Sequence, residues 1–155
     1  MASLELTEVR KSYGDTLVLD GVSLAVEERE FIAFLGPSGS GKSTLLRIIA
    51  GLETLDAGEV RLEGRRIDNL APGERDVAMV FQHYALYPHM SVRENMAFGL
   101  RNAGIPRADI EARIAQAAAV LEITEQLDKK PGQMSGGQRQ RVAIGRAIVK
   151  QPRLF

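Results

Sequence analysis

The sequence predicts an α/β fold that combines a strand–loop–helix core with antiparallel strands and a mostly helical second half. Three observations support this fold class. Residues 31–35 are continuously apolar and lead into a glycine-rich turn and then a helix with a broad apolar face. Short apolar stretches separated by turns fill residues 4–26, and helical periodicity prevails from Ser91 onward. A change of hydrophobic period along one chain is typical of mixed architectures.

The composition of the 155-residue chain is that of one globular domain, with 45% hydrophobic and 26% charged residues. These fractions exclude collagen-like, disordered and coiled-coil classes. The 20 basic residues balance the 20 acidic ones, so bulk charge gives no support for a nucleic-acid partner. The absence of cysteine excludes disulfides. No apolar run is long enough to cross a bilayer, and the start of the chain lacks a secretory signal.

The first predicted strands occupy the N-terminal quarter of the chain. A first strand is predicted from the apolar residues Leu4, Leu6 and Val9. The sequence Tyr13-Gly14-Asp15 predicts a turn after it. Residues 16–19 and 22–26 are predicted as two further short strands. Because the connections are short, we expect antiparallel pairing. A weaker hairpin signal surrounds Val60, Leu62 and Ile67.

The core is predicted from two fully apolar segments. Residues 31–35 read as a strand buried on both faces, followed by a helix from Ser43 to about Leu52 with Gly51 near its end. Residues 77–81 form a second such candidate, followed abruptly by the polar Gln82.

Three more helices are predicted in the second half of the chain. They cover residues 92–102, about 108–121 and 138–150, and Pro152 stops the last one. Residues 129–153 contain seven basic and no acidic residues, so the remainder carries a net charge of −7. This basic stretch is either a solvated helix face or a local surface for an anion or partner.

The glycine-rich turn matches the phosphate-loop pattern of Gly, four residues, Gly, Lys and a hydroxyl residue. Glycines let backbone amides converge on phosphate oxygens, and the helix N-terminus adds unpaired donors. We expect the lysine to reach the β- and γ-phosphates and the following hydroxyl to ligate Mg²⁺. A buried-strand pattern before the loop and a helix after it favour a nucleoside triphosphate site over a chance match. Its residues are Gly36, Ser38, Gly39, Ser40, Gly41, Lys42, Ser43 and Thr44.

A second candidate anion-binding motif precedes the last helix. It consists of Ser135, Gly136, Gly137 and Gln138, which place a hydroxyl and two glycines at a new helix N-terminus. A simple loop-to-helix cap gives the same pattern. A single chain needs only one such motif to bind one γ-phosphate. Two chains facing each other in opposite directions would use both motifs.

Together, Tyr13, the loop at 36–44, Gln82 and residues 135–141 resemble the nucleotide-binding domain of an ABC transporter over essentially the whole chain. The resemblance implies a P-loop NTPase (RecA-like) core with an antiparallel β subdomain and an inserted α-helical subdomain. It divides this partial ATP-binding domain, 1–155, into a core with the β subdomain at 1–82, a helical subdomain at 83–137 and a return to the core at 138–155. Residues 80–90 with Glu94 and Asn95 are similar to the maltose-type, carbohydrate-importing subfamily.

The resemblance also implies roles for individual residues and two protein partners. Tyr13 would stack on adenine, and Gln82 would contact Mg²⁺ and the attacking water, so Gln82 and Lys42 are the candidate catalytic residues. Segment 84–95 would face transmembrane permease subunits, although its apolar side chains could equally be subdomain core. The motif at 135–138 would close over the ATP of a second copy in a head-to-tail dimer. The implied location is the cytoplasm, peripheral on the inner face of the cell membrane.

The sequence departs from the family pattern at two places. Met134 stands where leucine is usual, which conserves volume. The chain ends at Phe155, before the family's metal-binding aspartate and its water-polarising glutamate, so we expect an incomplete cassette that alone does not hydrolyse ATP. The full subunit would couple ATP hydrolysis to uptake of a sugar or glycerol phosphate. The alternatives are a catalytically incompetent nucleotide-binding fragment, an importer subunit for iron, sulfate or polyamine, and a DNA-repair ATPase, whose long heptad arms are absent between residues 82 and 134.

Overall fold

The computed structural model describes residues 3–155. They form two compact units, the first extending through Val77 with Leu154 added, and the second comprising Ala78–Arg153 with Phe155. The predicted boundaries at residues 82 and 137 remain predictions. Each unit is described by itself below.

The first unit contains a four-stranded antiparallel sheet in the order β2-β1-β3-β4. The strands are β1 (Leu4–Tyr13), β2 (Thr16–Val26), β3 (Ala57–Leu62) and β4 (Arg65–Arg66). Leu4 pairs with Val26 at one end of the β1–β2 hairpin and Tyr13 pairs with Thr16 at the other. The antiparallel prediction is therefore confirmed, while the two strands predicted over 16–26 are one continuous strand. The hairpin predicted around Val60 is also confirmed.

Strand β1 changes register with β2 after Leu6 and with β3 after Thr7. At the same level Gly58 has φ +92°, and a Cβ atom there would lie 2.4 Å from the Thr7 carbonyl oxygen. Only glycine allows this close approach of two strands. The irregularity increases the local twist where β1 leads toward Tyr13.

Helix α1 (Lys42–Ala50) packs its apolar face into the core of the first unit. Leu45, Ile48 and Ile49 are buried with inward-facing residues of β1 and β3. Gly51 ends the helix with φ +81°, as its position in the sequence predicts. The predicted bounds were one residue late at the start and about two late at the end.

The prediction of apolar core strands at residues 31–35 and 77–81 is wrong. Residues 31–35 form no strand, and the side chains of Phe31 and Leu35 are 91% and 92% exposed. Of residues 77–81, only Val77 forms a β-bridge, a parallel one with Leu154. A strand covered on both faces must hydrogen-bond to neighbouring strands. Within residues 3–155, that isolated bridge is the only parallel pairing.

The second unit is helical. Its helices are α2 (Val92–Asn102), α3 (Arg107–Val120) and α4 (Gly136–Ile148), joined by 3-10 turns at Thr124–Gln126 and Pro131–Gln133. The bounds predicted for α2 are confirmed, those for α3 were one residue late at each end, and those for α4 were two residues late at each end. The difference at α4 arises because Gly136 and Gly137 already belong to the helix.

One apolar cluster joins the three helices of the second unit, with Val92, Met96, Ile114 and Val142 buried at its centre. Ala117 and Ala118 of α3 are buried in the same cluster, whereas Val120 at the end of the helix is exposed. No helix among residues 3–155 has the length and apolarity that a membrane span requires.

Candidate functional site

The phosphate-loop pattern lies in a turn that ends at the N-terminus of α1. Gly41 is the N-cap residue, and no side chain caps the helix. Within residues 3–155, the backbone amides of Gly39, Gly41, Lys42, Ser43 and Thr44 donate no hydrogen bond to the protein. The first turn of α1 also carries no acidic residue. Unpaired amides and the positive end of the helix dipole create a surface that favours anions.

Two glycines of this loop have conformations that other residues adopt only with strain. Gly39 has φ +82°, and nothing lies within 4 Å of the position its Cβ would take. Gly41 has φ +88°, and a Cβ atom there would lie 2.9 Å from Leu19 Cδ2 and 3.0 Å from the Val18 carbonyl oxygen. The loop backbone therefore packs against β2 on one side and stays open at Gly39. This open side can admit a phosphate group close to the backbone.

Lys42 folds back over the loop that precedes it. Its ammonium group donates to the carbonyl oxygens of Gly36 and Pro37, both at 2.7 Å, and to Ser40 Oγ at 3.0 Å. These three acceptors match the three N–H groups of an ammonium ion. A cation is thus held at the centre of the turn, beside the free amides.

The hydroxyl residues after Lys42 lie on the first turn of α1. Ser43 is exposed and Thr44 half-buried, and neither side chain forms a hydrogen bond within residues 3–155. The described residues contain no cluster of three His, Cys, Asp or Glu side chains that could hold a metal ion. The Ser43 hydroxyl could serve as a ligand of Mg²⁺, which prefers oxygen ligands and is commonly held together with substrate phosphates.

Tyr13 lies at the end of β1, at the turn into β2. Its ring is 46% exposed, and its hydroxyl donates to Glu53 Oε2 at 2.8 Å. The Lys11 ammonium lies 5.2 Å from the ring centroid and 2.9 Å from Glu53 Oε1. These contacts lower the pKa of Glu53 from 4.5 to about 2, chiefly through the hydrogen bonds from Lys11 and Tyr13. The hydrogen bond to Glu53 also raises the pKa of Lys11.

Gln82 lies in the second unit, in an exposed turn that precedes the segment 84–95. Its side chain forms no hydrogen bond to the part of the chain that the structure describes. Tyr84 and Ala85 both have positive φ values, 62° and 49°. Such conformations in residues other than glycine are uncommon and must be held by their surroundings.

Two polar residues hold this segment in place. Asn95 is fully buried; its Oδ1 accepts from the Tyr87 amide at 2.8 Å, and its Nδ2 donates to three carbonyl oxygens of the segment, those of Tyr87, Met90 and Ser91. Arg146 of α4 donates to the Ala85 carbonyl oxygen at 2.6 Å. The Arg146 guanidinium also lies 5.7 Å from the Tyr87 ring centroid, and burial lowers its pKa.

The second motif forms the N-terminus of α4. Ser135 Oγ accepts from the Gln138 amide at 3.2 Å, and Gln138 Oε1 accepts from the Ser135 amide at 2.9 Å. This reciprocal pair is a capping box. No atom lies within 4 Å of the position of a Gly137 Cβ, and a Gly136 Cβ would be 3.8 Å from the Tyr84 hydroxyl. The amides of both glycines are unpaired within residues 3–155.

A comparison with protein-family models decides the family. The ABC transporter model matches residues 19–155, which include the phosphate loop, Gln82 and the motif before α4. The chain belongs to the ABC transporter family. Its fold is therefore that of a P-loop NTPase cassette with an antiparallel β part and an α-helical part, as the sequence predicts.

The chain is also similar in sequence to curated import ATP-binding proteins. The chain is 57% identical over 155 residues to the sn-glycerol-3-phosphate import ATP-binding protein UgpC of Cereibacter sphaeroides, covering 100% of this chain and 44% of that protein. It is 58% identical over 156 residues to the same-named protein of Rhizobium meliloti, covering 100% and 45%. The chain thus spans less than half the length of these curated relatives.

A solved structure provides the geometric comparison. The ATP-binding cassette MJ0796, in a dimeric post-hydrolysis state bound to ADP and Pi, aligns with a TM-score of 0.84 and 33% identity. The alignment covers 96% of this ABC cassette and 70% of that chain. This alignment agrees with the predicted family fold. The two import relatives agree with the resemblance to the maltose-type, carbohydrate-importing subfamily.

The structural roles of several residues were not predicted from the sequence. Lys11 and Glu53 flank Tyr13, and Arg146 and Asn95 hold the segment 84–95. Lysine and glutamate at these positions resemble ordinary surface residues, so no local pattern distinguishes them. The Ser91 and Glu94 pair, by contrast, carries a recognisable capping signal.

Proposed function

We propose that this chain binds Mg-ATP and is the N-terminal part of the ATP-binding subunit of an importer. The full subunit couples ATP binding and hydrolysis to the uptake of a glycerol phosphate or sugar across a membrane. The observation that supports it most is the loop at 36–44, with its unpaired amides and Lys42, in a chain 57% identical to a glycerol-phosphate import protein.

The triphosphate binds at the N-terminus of α1 in this proposal. The amides of Gly39, Gly41, Lys42, Ser43 and Thr44 donate to phosphate oxygens, as does the hydroxyl of Ser38 or Ser40. Lys42 exchanges one of its carbonyl partners for the β- or γ-phosphate. The exchange costs little, because a charged oxygen accepts a stronger hydrogen bond than a carbonyl.

The base stacks on Tyr13. Gly41 packs against Val18, and Tyr13 pairs with Thr16, two residues from Val18 along β2. With a rise of about 3.4 Å per residue, that offset is about 7 Å. This offset along β2 suits a nucleotide, in which the sugar lies between the phosphates and the base. The solved relative bound to ADP and Pi supports a nucleotide as the ligand.

The Ser43 hydroxyl and the Gln82 side chain would be the residues of this chain that hold magnesium, as the family resemblance implies. When bound, the ion neutralises charge on the phosphates and orients the phosphoryl group for attack. Lys42 stabilises the same charge from the α1 side. Gln82 orients the attacking water through its side-chain oxygen. Phosphoryl transfer depends mainly on such positioning and charge stabilisation.

The unpaired amides of Gly136 and Gly137, with Ser135 and Gln138, close over the ATP of a second copy arranged head to tail. A dimeric solved relative supports two copies acting together. Segment 84–95, fixed by Asn95 and Arg146, contacts the transmembrane permease subunits. The subunit then lies on the inner face of the cell membrane, and no nucleic acid takes part.

A phosphate-release assay tests the proposal on the full-length protein. Lys42→Ala removes the loop cation and should lower ATP hydrolysis by at least about 100-fold, the size typical of losing one transition-state donor. Arg65→Ala, on the exposed strand β4, is the matched control and should leave the rate unchanged. Normal hydrolysis by the Lys42 variant would contradict the assignment.

A second candidate is a module that holds nucleotide without hydrolysing it. The absence of a carboxylate cluster among residues 3–155 favours it for the 155-residue chain by itself. Titration with a fluorescent ATP analogue, run beside the phosphate-release assay, separates the two. Saturable binding without release above background supports the second candidate.

A further inference from the structure

The turn at the end of β1 is fastened to the segment that follows α1. Ser12 donates its amide to Asp56 Oδ2 at 2.7 Å, and the Asp56 amide donates to the Arg10 carbonyl oxygen at 2.8 Å. The ammonium of Lys11 donates to Thr54 Oγ1 at 3.3 Å. Three hydrogen bonds therefore link the end of strand β1 to segment 53–56.

Inside this junction, Lys11 and Glu53 form an ion pair sheltered from water. The Lys11 side chain is 8% exposed and that of Glu53 is 26% exposed. Asp56 Oδ1 lies 3.7 Å from the same ammonium. A lysine with this little exposure must be paired, and here its partners are carboxylates and a hydroxyl. The pair is a fixed feature of the fold rather than a transient surface contact.

Tyr13 is attached to this ion pair at two points. Its hydroxyl donates to Glu53 Oε2, and the Lys11 cation lies above one face of its ring. The hydrogen bond fixes the far end of the ring and the cation covers one face, while the residue as a whole stays 46% exposed. An exposed tyrosine without such contacts would sample several rotamers, and stacking on it would cost that freedom.

We propose that Glu53 and Lys11 are positioning residues that hold the Tyr13 ring ready to stack a nucleotide base. This inference rests on the proposed function, since it needs nucleotide at the loop 36–44. It adds that the tyrosine hydroxyl is already occupied by Glu53. The ring therefore offers a base only its face, which predicts similar affinity for ATP and GTP.

The test compares nucleotide with inorganic tripolyphosphate, which carries the phosphates without a base. Binding of Mg-ATP, Mg-GTP and Mg-tripolyphosphate to the full-length protein is measured by calorimetric titration. Glu53→Ala, which deletes the acceptor, and Tyr13→Phe, which deletes the donor, should each weaken ATP binding about fivefold, the effect of losing one net hydrogen bond, and leave tripolyphosphate binding unchanged. Because both remove the Tyr13–Glu53 hydrogen bond, the double variant should be no weaker than the weaker of the two single variants. Glu28→Ala, whose side chain is 81% exposed, is the matched control.

The outcomes separate this inference from the proposed function. Equal weakening of ATP and tripolyphosphate binding by Glu53→Ala assigns Glu53 a general structural role and overturns the inference. Unchanged ATP binding in both variants overturns it as well, even while the wild-type protein binds ATP normally. If the wild-type protein binds neither ATP nor tripolyphosphate, the proposed function itself fails. Tyr13→Phe alters only an exposed hydroxyl, so its result stands even if the Glu53 variant does not fold.

Discussion

Arg75 is the perturbation whose effect on stability follows most directly from the structure. The residue is 5% exposed and has no ion-pair partner within residues 3–155. Its guanidinium donates to the carbonyl oxygens of Ile48 at 2.8 Å and Ile49 at 3.3 Å, at the end of α1. It also donates to those of Leu70 at 2.9 Å and Asp68 at 3.0 Å. Burial lowers the pKa of Arg75, yet the group stays charged because arginine pKa values are far above neutrality.

Replacing Arg75 with methionine keeps most of the aliphatic volume and removes every donor. The two contacts at the end of α1 are fully buried, so both carbonyl groups would lose their only side-chain donor without access to water. Each such loss costs roughly 1–3 kcal/mol, partly offset because a charge no longer has to be buried. We expect a net loss of about 3 kcal/mol. For a domain of roughly 150–250 residues that unfolds as one unit, this lowers Tm by roughly 9 °C.

The assay is urea unfolding of the full-length protein, followed by circular dichroism, with a thermal melt as the second measurement. Arg65→Met on exposed strand β4 is the matched control and should change stability by less than about 0.5 kcal/mol. If Arg75→Met costs under about 1 kcal/mol, the inference that the guanidinium holds the end of α1 is wrong.

Three further predictions concern other polar contacts. The pKa of Glu53 lies near 2 in the folded protein against 4.5 ordinarily, so its stabilising effect is present above pH 4.5 and is lost as the pH falls toward 2. Glu53→Gln should flatten the change of the urea midpoint between pH 5.5 and pH 3. Asn95→Leu should cost about 3 kcal/mol in urea unfolding, because one amide and three carbonyl groups lose a buried partner; an unchanged midpoint would refute this. Ser135→Ala should cost about 1 kcal/mol and speed hydrogen exchange in the first turn of α4, and unaltered exchange would exclude the cap.

The sequence predicted the local elements well where one signal lies within a few residues. The helical period that begins after Ser91 predicts both bounds of α2, because the residues that pack its apolar face lie within one short segment. Gly51 marks the end of α1 for the same reason. The phosphate loop is visible because its chemistry requires glycines at fixed spacing.

The two apolar core strands were predicted wrongly because strand formation depends on distant partners. Residues 31–35 are apolar enough for a central strand, but a strand needs hydrogen bonds to neighbours that the local pattern does not supply. Arg75 and the Lys11–Glu53 pair escaped for a related reason. A charged residue becomes buried only where the fold brings matching oxygen atoms around it, and no spacing in the sequence records this.

The most direct test of the account is a measurement on the loop amides themselves. Backbone amide resonances of the full-length protein are recorded with and without Mg-tripolyphosphate. We predict large changes in chemical shift and slowed hydrogen exchange at the amides of Gly39, Gly41, Lys42, Ser43 and Thr44 when Mg-tripolyphosphate is added. In the Lys42→Ala variant, the same concentration of Mg-tripolyphosphate should change the amides of residues 39–44 little. Shifts confined to other parts of the chain, with the amides at the start of α1 unperturbed, would contradict the claim that this loop binds the triphosphate.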